Sequence, residues 1–96
     1  MATVAIEGRI TVNNSDEMRR KLLAALRSRP AQVTVDLSQA TYMDSSGLAT
    51  LLEAVRTARN QETRLVLAGV SGQLRNLFEV AQFGRLFEFA RQDTSE

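Results

Sequence analysis

The sequence predicts an α/β fold, with a central mixed β-sheet of about four strands and about three helices packed mainly on one face. Segments with strand periodicity alternate along the chain with segments of helical periodicity. The composition, 44% hydrophobic and 24% charged, is typical of a globular domain with one core. Because 96 residues suit one compact domain, we expect residues 1–96 to form a single domain with a frayed polar tail from about Gln92.

The chain begins with a predicted strand and a predicted helix. β-Branched residues alternate with smaller or polar ones over residues 3–7, which indicates a short strand that ends at Gly8. The buried stripe of the helix that follows is expected at Met18, Leu22, Ala25 and Leu26. Pro30 cannot continue a helix and disfavours helical geometry in the residue before it, so this helix should end at residues 27–29.

A second strand and a second helix follow. Polar and apolar residues alternate over residues 32–37, which predicts a strand with one face on the core. A short crossing is expected at residues 38–41. Asp44 or Ser45 should then cap a helix that ends near Asn60, because their side-chain oxygens accept hydrogen bonds from N–H groups left unpaired in the first turn. The buried face of this helix is expected at Leu48, Leu51, Leu52 and Val55.

The last third of the chain predicts one more strand and one more helix. Residues 63–67 have a strand pattern, and residues 71–80 repeat the helical stripe. Residues 86–89 are expected to form a last short strand or a helical turn. The order of strands and helices indicates parallel neighbours joined by helices.

The start of the second helix carries the most specific sequence in the chain. Residues 44–48 read Asp-Ser-Ser-Gly-Leu, after a short strand and before a Leu-Leu helix. On its own this pattern is typical of a well-capped helix with no further role. In this context it resembles the signature of the STAS domain (sulphate transporter and anti-sigma factor antagonist), and in particular that of the small bacterial anti-sigma factor antagonists. The resemblance runs from about Val4 to Phe89.

The resemblance implies a function controlled by phosphorylation. In that family the serine directly after the aspartate is phosphorylated by a partner kinase, which maps onto Ser45, with Ser46 as the alternative acceptor. The unphosphorylated protein would bind an anti-sigma factor that is itself a serine kinase, and so release a sigma factor. The kinase would bind the ATP, and a phosphatase is a further implied partner.

The resemblance also implies a partner-binding surface around this serine. Asp44 would orient the turn, and Gly47 would let a partner backbone come close. The exposed contact face would be formed by Ala49, Thr50 and Glu53. Many antagonists carry an acidic residue where Thr11 stands, on the loop beside the signature turn, so Thr11 belongs to the expected surface and bears on the choice of partner.

Two other functions remain open from the resemblance. Small STAS proteins serve as accessory subunits of lipid-transporting ABC systems, where they bind the ATPase without a phosphorylation cycle. Others are scaffold subunits of signalling assemblies. The family usually carries another strand before the first one predicted here, so the sheet is expected to have an exposed edge that a partner or a second copy would cover.

Composition argues against several classes of function. The chain has no histidine and no cysteine, which removes the usual Ser–His and Cys–His pairings and thiolate metal sites. We therefore expect no enzyme activity, no metal and no cofactor. A net charge of +1 argues against nucleic-acid binding, which usually needs a strong basic bias.

Hydropathy argues against direct membrane insertion. The longest apolar run is far below the roughly 18 residues that a membrane-spanning helix needs. The N-terminus lacks the basic and apolar segments of a secretory signal. The absence of cysteine fits a reducing compartment. We therefore expect a cytoplasmic protein.

Overall fold

A computed structural model of the chain describes residues 2–82 and 84–90. Strands and helices alternate throughout this part of the chain. The elements are β1 (Ala2–Ile10), α1 (Ser15–Arg27), β2 (Gln32–Met43), α2 (Ser45–Asn60), β3 (Arg64–Ala68), α3 (Gly72–Val80) and β4 (Glu88–Phe89). The predicted α/β class is confirmed, while the predicted frayed tail from Gln92 lies outside the described residues.

The strands form one sheet in the order β1-β2-β3-β4, and the strand pairs within the described ranges are all parallel. The expected mixed sheet is therefore corrected to a parallel one for these residues. The physical reason is that a helix separates each strand from the next and returns the chain to the same end of the sheet.

The three helices of the described chain pack on one face of the sheet, as predicted. Crossovers between parallel strands are right-handed, so helices that step in one direction along the sheet lie on the same side. Val4, Val35 and Leu67 are neighbours in register and belong to the core. The helices cover them with Leu22, Leu51 and Phe78, each fully buried or nearly so.

β1 and β2 are longer than the sequence pattern indicates. β1 continues through Gly8 to Ile10, and β2 continues through the expected crossing at residues 38–41 to Met43. The two strands stay paired as far as Ile10 and Met43, across two register shifts. Gly8 adopts a φ of 76° within this irregular stretch, a conformation that glycine tolerates without strain. The register shifts interrupt the alternation of buried and exposed residues, and the strand ends were predicted from that alternation.

α2 begins and ends where it was predicted, but its buried face is rotated. Leu48, Leu51 and Val55 are buried as expected, whereas Leu52 is only half-buried. Thr50 is buried instead, at 8% exposure. Its hydroxyl donates a hydrogen bond to the Ser46 carbonyl at 2.9 Å, so burial leaves no unpaired polar group.

α3 and β4 close the far side of the sheet. Ser71 caps α3, because its hydroxyl oxygen accepts a hydrogen bond from the Leu74 N–H at 3.1 Å. Phe78 of α3 packs edge-to-face on Phe87 and stacks on Phe89, with ring centroids 5.2 and 6.3 Å away. The predicted last element is thus the two-residue strand β4, which pairs with β3.

Candidate functional site

The candidate site lies where β1 and β2 end and their following segments begin. Carboxyl ends of parallel strands meet at one edge of a sheet, and Ile10 and Met43 are neighbours there. The N–H of Asp44 donates to the Ile10 carbonyl at 3.0 Å, which joins the two strand ends. The β1–α1 loop (residues 11–14) and the first turn of α2 are therefore adjacent.

Asp44 caps α2 with one oxygen of its carboxylate. Its Oδ1 accepts hydrogen bonds from the N–H groups of Ser46 and Gly47, at 2.9 and 3.3 Å. The Ser46 hydroxyl donates to the same oxygen at 2.6 Å. The predicted cap is thus formed by Asp44, and two of the N–H groups left free by the first turn are satisfied.

The other carboxylate oxygen of Asp44 holds the neighbouring loop. Oδ2 accepts a hydrogen bond from the Val12 N–H at 3.1 Å. The pKa of Asp44 is lowered, most strongly by the hydrogen bond from the Ser46 hydroxyl. Desolvation is the next influence and opposes this shift, while the N–H groups of Gly47, Ser46 and Val12 lower the pKa further. Asp44 is therefore an anion at neutral pH.

The two serines of the turn differ in exposure and in hydrogen bonding. Ser45 is exposed, and its hydroxyl makes no hydrogen bond to any residue in the described ranges. Ser46 is half-buried, and its hydroxyl is engaged with Asp44. The structure thus presents the Ser45 oxygen to solvent and uses the Ser46 oxygen inside the turn.

The other predicted contact residues that reach the surface are Ala49, Glu53 and Thr11. Ala49 is exposed one turn into α2. Glu53 is partly exposed but already forms a two-pronged ion pair with Arg19 of α1, with both nitrogen–oxygen distances at 2.9 Å, and this pair lowers the pKa of Glu53. The half-buried Thr11 begins the β1–α1 loop, where its carbonyl accepts the N–H groups of Asn14 and Ser15.

Thr50 does not lie on the exposed face where the sequence analysis placed it, and Gly47 is also buried in this turn. A Cβ on Gly47 would collide with the Met43 side chain and would lie 3.0 Å from Cγ2 of Ile10. This glycine therefore lets α2 approach the ends of β1 and β2 closely. Thr50 faces inward for the reason given above, so neither residue presents a side chain to a partner.

Sequence reasoning missed two exposed apolar residues beside this turn. Val12 is 73% exposed, and Tyr42 is 39% exposed with the Arg9 guanidinium 4.6 Å from its ring centre. Both lie near the observed ends of β1 and β2, which extend beyond the strands that the sequence pattern predicted. A hydrogen bond from the Val12 N–H to Asp44, between residues 32 apart in sequence, links Val12 to the site.

Within residues 2–82 and 84–90, no three histidine, cysteine or acidic residues are grouped to hold a metal. An open cavity of about 700 Å³ lies between α3 and β4, lined by Arg75, Arg85 and Phe89 among others, and includes none of the predicted site residues. No helix in the described part of the chain is both long and apolar enough to cross a membrane.

Comparison with known families gives a match over most of the chain. A family model described as "Mlab, STAS domain" matches residues 1–88. The anti-sigma-B factor antagonist of Listeria monocytogenes is 27% identical over 85 residues, which cover 88% of this chain and 75% of that protein. A STAS-domain containing protein of Pseudomonas aeruginosa is 30% identical over 88 residues, which cover 92% of this chain and 86% of that protein.

Comparison with solved structures gives the same architecture. The anti-sigma factor antagonist SpoIIAA in its unphosphorylated form matches with a TM-score of 0.75 and 20% identity, covering 95% of this chain and 80% of that one. The phosphorylated form of SpoIIAA from Bacillus matches with a TM-score of 0.69 and 20% identity, covering 95% and 83%. At this identity the likeness shows a shared fold.

Proposed function

This chain belongs to the STAS-domain family, and we propose that it acts in the bacterial cytoplasm as an anti-sigma factor antagonist switched by phosphorylation of Ser45. The unphosphorylated chain binds an anti-sigma factor that is also a serine kinase, and this binding releases a sigma factor. The kinase, with its own bound ATP, phosphorylates Ser45 and so ends the binding. A phosphatase returns the chain to its binding form.

The observation that carries this proposal is the difference between the two serines. The Ser45 hydroxyl is exposed and free of hydrogen bonds within the described chain, so a kinase can reach it without breaking a contact. The Ser46 hydroxyl would first have to leave Asp44, to which it donates at 2.6 Å. The relatives named as anti-sigma factor antagonists support the general role, and a protein of this fold, SpoIIAA, has a phosphorylated form.

Electrostatics explains how such a switch would act on the complex and leave the fold intact. A phosphoserine carries about −1.5 to −2 charges at neutral pH. At the first residue of α2, this charge is favoured by the helix dipole and opposed by the Asp44 carboxylate. In a tight interface, an unpaired charge costs on the order of 3 to 5 kcal/mol, which lowers affinity by hundreds-fold or more.

Phosphopeptide mapping tests the proposal. The wild-type chain, Ser45→Ala and Ser46→Ala are each incubated with the purified cognate anti-sigma kinase and ATP, and the sites are mapped by mass spectrometry. We expect one phosphate on Ser45 in the wild type and in Ser46→Ala, and none in Ser45→Ala. Phosphate on Ser46 alone, or on neither serine, refutes the assignment.

A second candidate function is an accessory subunit of a lipid-transporting ABC system. It is favoured by Thr11, which stands where many antagonists carry an acidic residue. An accessory subunit would bind the transporter ATPase and gain no phosphate. Stable binding to such an ATPase, with Ser45 unmodified after incubation with kinase and ATP, would favour this function over the first.

A further inference from the structure

The β1–α1 loop (residues 11–14) holds an exposed apolar side chain on an ordered backbone. The Asn14 carboxamide accepts the Thr11 N–H and donates to the Arg9 carbonyl, both at 2.8 Å. The Asn13 N–H donates to the Thr11 hydroxyl at 3.2 Å, and the Val12 N–H donates to Asp44. The Val12 side chain nevertheless stays 73% exposed. The loop is thus fixed by polar contacts, and Val12 adds nothing to the core.

An exposed apolar side chain on an ordered loop, such as that of Val12, is well placed to contact a binding partner. Ordering a loop on association costs free energy, and a loop that is already ordered avoids that cost. Burial of a valine side chain in a partner is favourable, because its apolar surface is removed from water. Val80, the last residue of α3, is equally exposed at 74% but belongs to an element that contributes no residue to the candidate site.

We propose that Val12 is an apolar anchor of the partner-binding surface and that Asp44, through Oδ2, is the residue that positions it. The inference rests on the proposed function, because the occupant is the same serine kinase. That kinase would present an apolar pocket for Val12 next to the groups that receive Ser45. One carboxylate holds both elements of this surface, since Oδ1 fixes the first turn of α2 and Oδ2 fixes the loop.

The arrangement also couples the loop to the modification. A phosphate on Ser45 would place a second anion next to the Asp44 carboxylate, and the repulsion would act on the residue that holds the Val12 N–H. Phosphorylation would then weaken binding in two ways, through the charge itself and through release of the loop that carries Val12.

A matched pair of variants tests the anchor. Val12→Ser and Val80→Ser remove the same atoms from equally exposed positions, so neither should change the melting temperature appreciably. Affinity of each unphosphorylated variant for the purified kinase is measured by calorimetry. We expect Val12→Ser to lose at least about tenfold in affinity and Val80→Ser to stay within about twofold of wild type. Equal affinities for the two variants overturn the inference.

A second variant tests the positioning role of Asp44. Asn is as good an N-cap as Asp, so in Asp44→Asn the amide oxygen can still accept the Ser46 and Gly47 N–H groups. The amide nitrogen would then replace Oδ2 and face the Val12 N–H with a donor. We expect faster hydrogen exchange of the Val12 amide by NMR, unchanged exchange at Gly47, and weaker kinase binding. Lost binding with unchanged Val12 exchange would overturn the positioning role.

The two proposals fail in different ways. If wild-type protein neither binds the kinase nor accepts phosphate on Ser45, the proposed function is wrong. If wild-type protein does both and Val12→Ser behaves like Val80→Ser, the proposed function stands and the Val12 anchor is wrong.

Discussion

At the scale of single residues, the Asp-Ser-Ser-Gly pattern predicts the helix cap but does not distinguish the two serines. The preference of aspartate for N-caps predicts the cap, and it is formed by Asp44. The pattern cannot decide between the serines, because both hydroxyls follow the same aspartate. That difference depends on backbone directions, which turn the Ser46 hydroxyl toward Oδ1 and leave Ser45 in solvent. The Val12 contact is also beyond local reasoning, because it joins two distant segments.

The pKa of Asp44 provides a prediction at this scale. Its folded-state pKa lies below the ordinary value of about 3.9, so the stabilisation it provides is fully present above that pH and is lost as pH falls through the folded pKa. Ser46→Ala removes the largest cause of the shift and should move the Asp44 pKa upward, toward its ordinary value. NMR titration of the carboxyl carbon measures this change.

Ser45→Ala is the control for this titration. The Ser45 hydroxyl makes no bond to Asp44, so its removal should leave the Asp44 pKa in place. A Ser46→Ala variant that titrates like wild type would show that the Ser46 hydroxyl does not stabilise the carboxylate.

At the scale of elements, sequence patterns predicted the helices better than the strands. α2 ends at Asn60 and α3 spans Gly72–Val80, as their caps and stripes indicated. The second half of β2 was missed because its buried residues, Ala40 and Met43, are three apart and not two. Strand pairing there is decided by β1 across register shifts, and that long-range contact leaves no local period.

The rotated face of α2 gives a prediction of stability. Leu51 is fully buried, so Leu51→Ala should destabilise the fold by about 2 to 5 kcal/mol, through lost burial and the cavity left behind. Leu52 is half-buried and its truncation should cost clearly less. Urea unfolding of the two variants, compared at equal m-values, measures the difference. A larger loss for Leu52→Ala would show that the helix face is wrongly assigned.

At the scale of the whole molecule, the parallel order of the sheet explains why the site lies at one end. β1 and β2 are adjacent and parallel, so the loops after them emerge side by side at the carboxyl ends of those strands. Ser45 and Val12 do not belong to the hydrophobic core cluster, and both are exposed to solvent at the carboxyl ends of the strands. A charge added at Ser45 would therefore lie in solvent, outside the core.

This separation of surface from core leads to a prediction about the intact protein. Ser45→Asp places one negative charge at the start of α2, where exposed anions are typically favourable by about 0.3 to 1 kcal/mol. For a domain of this size, that free energy corresponds to a shift of a few degrees in melting temperature. We expect Ser45→Asp to stay within that range by calorimetry and to bind the kinase at least about tenfold more weakly, a loss of roughly 1.4 kcal/mol.

Ser45→Ala separates loss of the hydroxyl from gain of the charge. It should keep the wild-type melting temperature and bind the kinase, and it should remain bound when ATP is added, because no acceptor is present at that position. An unfolded Ser45→Asp would mean that the serine side chain is needed inside the fold, against its observed exposure. A folded Ser45→Asp that binds like wild type would place Ser45 outside the interface, because a charge buried there without a partner must weaken the complex.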